Sequence, residues 1–395
     1  MPLTKNLFRT YYLPILLILT LIAGAGFGYH YPEKAKWITP LGDLFLNLIF
    51  TMVVPLIFFS VAKAFAKLKA HHQIGNMFKS IFWVFLVTGL IAAVLSYCVV
   101  RLFPIQEISI FQNSAPIEKG FSLLDKIVEL LSVRQFGDLL SHQHILALMI
   151  FSMFVGIAGS SKILAFLELG ESICMKIFSY VMYYAPIGFF AYFANMVAEL
   201  GPQVISQYTR VAMTYYLFAV FYFVVIYTLF AYYARGKEGV ISFWGNITLP
   251  ATTALATCSS AAAIPANYEA AKNMGIQAEV YETTIPLGTF IHKDGSVIGG
   301  IFKIAFLMAA FHIDFSGFGL VMMAMMVSLL VGTVMGAIPS GGMLGELLIL
   351  SVYGFPSHAL VSIAAISIII DPIATLLNTT GNTIASMLID KRIKR

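Results

Sequence analysis

Runs of about 20 consecutive apolar residues recur along this chain, and that length is what a helix needs to cross the hydrocarbon of a bilayer. They cover residues 11–30, 41–66, 80–103, 143–166, 174–198 and 211–234, followed by two longer stretches at 281–312 and 355–390 that turn polar in their middles. With no water to satisfy backbone groups in lipid, the helix is the spanning form that such runs allow. The expected fold class is therefore an all-α polytopic membrane protein with eight transmembrane helices. Composition agrees: 59% of the 395 residues are hydrophobic and 11% charged, against the roughly 25% charged of a soluble domain.

The net charge of +5 reads as topology rather than as an affinity for nucleic acid. Lys5 and Arg9, the group Lys63, Lys67 and Lys69, and the C-terminal Lys391, Arg392, Lys394 and Arg395 fall in short segments at the ends of spans. Such segments stay on the cytoplasmic side, so both termini are expected inside, in a cell inner membrane. The first run is longer than an ordinary signal h-region and reads as a span. Cys98, Cys174 and Cys258 lack metal or disulfide spacing, so no metal site or cofactor is expected. The polar stretch 104–142 reads as an extramembrane loop with a short interfacial helix.

Two segments are too polar to span and too apolar to be loops: 243–273, centred on Cys258 to Pro265, and 318–352, centred on Gly336 to Gly342. Both read as re-entrant helical hairpins turning at small-residue tips that share Ala-Ile-Pro, at 263–265 and 337–339. Each is followed by an interrupted span, and hairpin then broken helix, repeated, suggests inverted repeats around a midplane site. In the first interruption stand His292, Lys293, Asp294, Gly295 and Ser296. In the second, Asp371, Thr375, Asn378 and Asn382 follow at i, i+4, i+7 and i+11, one face of a helix. Charged groups at membrane depth survive mainly where they meet a partner or a ligand. Helix-to-helix hydrogen bonding is the plainer reading for Thr379 and Thr380.

The order of these elements resembles the dicarboxylate/amino acid:cation symporters, the glutamate-transporter family. The likeness rests on the two tips, Pro286-Leu287-Gly288 leading to Asp294-Gly295-Ser296, and Asp371 to Asn382. Val54 to Phe59 and Ala185 to Phe190 extend it over nearly the whole chain. It implies a homotrimer and an elevator, with residues 1–235 mainly scaffold and trimerisation region, apart from transport-domain helices 3 and 6, and 236–395 the transport core. It implies that Ser259, Ser260 and Ser296, with Pro339 and Gly341 of the second tip, surround the substrate and its carboxylate. Asp371 would receive an ammonium, beside Thr375 and Asn378. Backbone N–H groups at helix N-termini suit an anion on electrostatic grounds alone.

The chain departs from that family where charge matters. Ala374 stands where acidic-substrate members carry an arginine, which points away from aspartate and glutamate unless Lys293 or Lys303 substitutes. His292 and Lys293 replace a cation-coordinating asparagine and a methionine, Asn382 replaces a carboxylate, and Phe290 replaces a threonine. Phe85 and Gly89 stand where hydroxyls are expected, leaving Thr88. In the cation region of Thr88, Gly288, His292, Lys293, Asp294, Asn378 and Asn382, Lys293 is expected to act as a tethered ammonium beside Asp294. H+ rather than Na+ is the expected coupling ion, with Lys293, His292, Glu282 and Glu346 as carriers, the ordinary imidazole titrating at about 6.5. Gly300 offers no titratable group where animal relatives carry a glutamate.

The resulting expectation is a sodium-independent secondary transporter, a symporter or exchanger of neutral amino-acid-like solutes. The alternatives are a C4-dicarboxylate or acidic amino acid symporter with Lys293 as a carboxylate clamp, an anion channel, or a binding protein that no longer transports. No HExxH, GxSxG or paired catalytic aspartates support an intramembrane enzyme.

Overall fold

The computed structural model describes residues 3–70, 75–105, 128, 131–141, 144–159, 161–200, 203–334 and 342–393. Among them there is no strand. The first helices are α1 (Leu3–His30), α2 (Pro32–Ala70), α3 (Gly75–Leu102), α4 (Ile145–Ala158) and α5 (Ser161–Leu200). Next, α6 (Gln203–Phe221) runs through a π-helical turn, Tyr222–Ile226, into α7 (Tyr227–Asn246). The remainder comprises α8 (Thr248–Thr257), α9 (Ile264–Asn273), α10 (Ala278–Ile291), α11 (Asp294–Ala310), α12 (Phe318–Val334), α13 (Gly342–Tyr353) and α14 (Ala359–Ile393).

By length and composition three described helical stretches are able to cross a membrane: Lys79–Leu102, Ile205–Asn246 and Ala359–Ile393. Shorter apolar segments lie at Ile15–His30, Val54–Lys63, Ala147–Ala158 and Phe318–Thr333. The expected span 143–166 is not one helix. α4 ends at Ala158, Gly159 takes extended backbone (φ −65°, ψ 153°), and α5 starts at Ser161. Of the polar stretch 104–142, the described residues include a 3₁₀ turn at Phe136–Leu140.

Two packing groups organise the helices. α1, α2, α4 and α5 pack on one another, whereas α14 is surrounded by α3, α6 to α11 and α13. Between α1 and α5 the approach is close enough to require glycine. A Cβ on Gly24 would lie 2.5 Å from Phe190 O, and one on Gly28 would lie 2.0 Å from Ala194 O. This Gly-x-x-x-Gly seam lets two backbones touch, the usual small-residue solution for apolar helices.

Within the stretches 243–273 and 318–352, α8 packs on α9 and α12 on α13. The first turns at residues 258–263, where Cys258 adopts a left-handed conformation (φ 49°). The tip of the second, including Pro339 and Gly341, lies outside the described residues.

The first interrupted span is broken as expected, between α10 and α11. The second is not. α14 is continuous from Ala359 to Ile393 through Pro372, and its polar stretch from Asp371 to Asn382 stays helical. Proline removes one helical donor and crowds the turn before it. Side chains from neighbouring helices also reach carbonyls of α14: Tyr216 OH donates to Ile369 O at 2.8 Å and Asn267 Nδ2 to Thr379 O at 3.3 Å. Tyr227 OH lies 2.8 Å from Leu377 O.

Candidate functional site

The break spans two residues in extended backbone, His292 (φ −124°, ψ 105°) and Lys293 (φ −142°, ψ 79°). It frees the first N–H groups of α11, which no residue within that helix can satisfy. Ser296 N–H donates to Asn378 Oδ1 at 3.1 Å, and Asn378 Nδ2 donates to Ser296 Oγ at 3.1 Å. A side chain from α14 thereby caps α11. Tyr215 OH donates to Gly295 O at 2.8 Å. A Cβ at Gly295 would sit 2.3 Å from Ala374 O, so the helix start rests directly on the α14 backbone.

Beside this cap lies the His292 ring, 3% exposed. Its Nδ1 is 3.0 Å from Asn382 Oδ1, and its Nε2 is 2.8 Å from Thr88 Oγ1 and 3.3 Å from Asp294 Oδ1. The Thr88 hydroxyl donates to Val84 O at 2.9 Å, which leaves its lone pairs for the ring. Oxygens from three helices, Thr88 Oγ1, Asn382 Oδ1 and Asp294 Oδ1, thus converge on the two ring nitrogens, whose donor and acceptor roles follow the tautomer. Phe85 stacks on the ring at 4.3 Å between centroids and 18° between planes. Gly288 makes room: a Cβ there would fall 2.2 Å from Asn382 Oδ1.

Asp294, for which Lys293 was the expected partner, is paired with His292, and Tyr227 OH lies 3.1 Å from its other oxygen. Lys293, 7% exposed, lies within electrostatic reach of Asp371.

Asp371 accepts a long hydrogen bond from Thr375 Oγ1 at 3.5 Å. Cys258 at the first tip and Tyr216 of α6 are also within its electrostatic reach. Ser260 is buried at that tip, and Ser259 Oγ accepts from Ala262 N–H at 3.3 Å. The face Asp371, Thr375, Asn378, Asn382 thus meets the break residue by residue: Lys293 at one end, Ser296 in the middle, His292 at the other.

A family model described as the sodium:dicarboxylate symporter family matches residues 13–392. The chain belongs to that family. It is 24% identical to a proton/glutamate-aspartate symporter of Bacillus subtilis (strain 168), covering 95% of this chain and 93% of the relative. A proton/sodium-glutamate symport protein of the same organism is 24% identical, with 95% and 90% covered. A C4-dicarboxylate transport protein from that organism is 22% identical, with 96% and 93% covered. This sodium:dicarboxylate symporter family member is a membrane transporter, not an enzyme.

In this family member a cavity of about 590 Å³ opens against the break. His292, Lys293 and Asp294 line it, and so do Ser60, Lys63 and Glu171 from α2 and α5. Lys63 and Glu171 form an ion pair, and the Lys63 ammonium lies 5.8 Å from the Phe290 ring centroid of α10.

Sequence reading passed over the tyrosines. Tyr215, Tyr216, Tyr222 and Tyr227 lie in a stretch read as an ordinary apolar span, yet the hydroxyls of Tyr215, Tyr216 and Tyr227 hold backbone of α11 and α14. The π-helical turn carries Tyr222 and leads directly into Tyr227. A phenol in an apolar helix usually finds an acceptor, and six in the run 211–234 were the available signal.

Proposed function

We propose that this family member is a sodium-independent secondary transporter of small zwitterions, neutral amino acids being the natural class. The observation that carries this reading is the His292 ring bonded to Thr88, Asn382 and Asp294. Sodium requires several oxygen ligands, and the oxygens that remain in this region are already engaged by the His292 ring, a side chain of the protein itself. Asn382 Nδ2 has no partner among the described residues, so the amide makes its bond through its oxygen.

The same economy extends outward. Asp371 has Lys293 within reach, and Glu346 pairs with Lys303 at 3.3 Å. Each buried carboxylate around the site has a tethered counter-charge. A zwitterion entering between Asp371 and Lys293, ammonium to the carboxylate and carboxylate to the ammonium, leaves the net charge unchanged. An acidic amino acid or C4-dicarboxylate adds negative charge to a dry region, where unpaired charge costs several kcal/mol. Ala374 supplies no bidentate cation to offset it.

One observation favours a second reading. Lys293 stands at the substrate face, where it could clamp a carboxylate, and the named relatives include a C4-dicarboxylate transport protein and a proton/glutamate-aspartate symporter. In either reading the scaffold, transport core, homotrimer, elevator and inner-membrane topology with cytoplasmic termini follow the family resemblance.

Uptake of labelled neutral amino acids, aspartate and succinate into proteoliposomes, with and without a sodium gradient, separates the readings. Neutral amino acid uptake indifferent to sodium is expected. Sodium-stimulated aspartate uptake overturns both the substrate and the coupling, whereas sodium-independent succinate uptake installs the clamp reading.

A further inference from the structure

Glu346 of α13 is fully buried, and its two oxygens differ. Oε1 accepts from Lys303 Nζ at 3.3 Å and from Ser367 Oγ, and Lys303 Nζ also donates to Ser367 Oγ at 2.8 Å. Oε2 is buried with no hydrogen-bond partner among the described residues. The other buried acids have their oxygens faced by a partner. Asp390 has one oxygen on Arg235 and the other on Gln277 N–H. Asp294 accepts from Tyr227 OH at one oxygen, and its other, also without a hydrogen bond among the described residues, lies 3.3 Å from the His292 ring. A bare, dry oxygen on a carboxylate is costly while the group is charged.

We propose that Glu346 is the proton-binding site of this transporter, taking the proton at Oε2, with Ser367 linking it to the Asp371 face. It rests on the sodium-independent reading above and names the ion that replaces sodium. The proton comes from the aqueous phase and forms an O–H bond at Oε2. Oε1 keeps both of its hydrogen bonds, so two charge states share one geometry. Ser367 is partly exposed and stands one turn before Asp371 on α14.

The charged and titratable neighbours are few. α11 contributes Lys303, α14 contributes Asp371 beyond Ser367, and α13 itself carries Tyr353 two turns on. The described lengths of α12 and α4, which also pack on α13, carry no titratable side chain. Protonation of Glu346 therefore leaves Lys303 as an uncompensated cation within electrostatic reach of Asp371. One unit of positive charge gained there favours a solute carboxylate, and by linkage a bound carboxylate favours the proton.

The test is infrared difference spectroscopy of the full protein in lipid, titrated with acid without any solute or sodium, so failure of the zwitterion reading would not affect it. The expected result is a component of the protonated-carboxyl stretching band that grows as pH falls, is missing from Glu346→Gln and remains in Asp371→Asn, against the background of the exposed carboxyls common to all three. A parent spectrum from which Glu346→Gln removes no component overturns the proposal. Should Glu346→Gln fail to assemble, Glu346→Asp is titrated instead: a displaced midpoint supports the assignment, and an unmoved one overturns it.

Discussion

The two polar interruptions carry similar chemistry and are built in opposite ways. At His292–Lys293 the helix stops and restarts, whereas from Asp371 to Asn382 it continues without a break. The difference lies in what each must offer its neighbour. α11 presents free backbone N–H groups and needs an end to do so; α14 presents side chains every turn and needs an unbroken helix to keep them in register. Each interruption completes the other, Asn378 capping α11 and His292 engaging Asn382.

The strongest way to break this comparison is to remove the charge that holds the interrupted side. Asp294→Ala would leave His292 in the dry core without its carboxylate, at a cost of about 3–5 kcal/mol. Thermal unfolding in lipid should show a large loss, with uptake abolished. A variant as stable as the parent would mean that the ring is neutral and the pair idle. Gly288→Ala presses on the joint between the two sides, because the new Cβ would lie 2.2 Å from Asn382 Oδ1. Overpacking of this kind costs about 1–3 kcal/mol, and unfolding should register it; an unchanged midpoint would show that Asn382 moves aside freely. The smallest effect is expected on the continuous side. Tyr216→Phe removes one hydrogen bond to Ile369 O, about 1 kcal/mol, and should leave helical circular dichroism intact. A loss of helix signal there would show that the tyrosine, rather than the helix itself, keeps α14 whole.

Much of this was legible in advance. Polar residues inside apolar runs pointed to the break at His292–Lys293, and helical spacing placed Asp371, Thr375, Asn378 and Asn382 on one face of a helix that packs against it. The continuity of α14 was not legible, and neither were the contacts that Tyr216, Tyr227 and Asn267 make to its carbonyls from segments distant in sequence. The partner of Asp294 was hidden for a related reason. Adjacency pointed to Lys293, whereas His292 turns back toward the carboxylate that begins the next helix. Pairings made in space rather than along the chain are what a single sequence conceals.

The seam between α1 and α5 bears on how the protein is made. Gly24 and Gly28 present a bare strip of backbone whose complement, around Phe190 and Ala194, is synthesised much later. Until α5 leaves the insertion machinery, the first helix has a groove with nothing in it but lipid or another helix. Biogenesis of this chain therefore includes an interval of waiting, during which its earliest segment is open to the wrong companion.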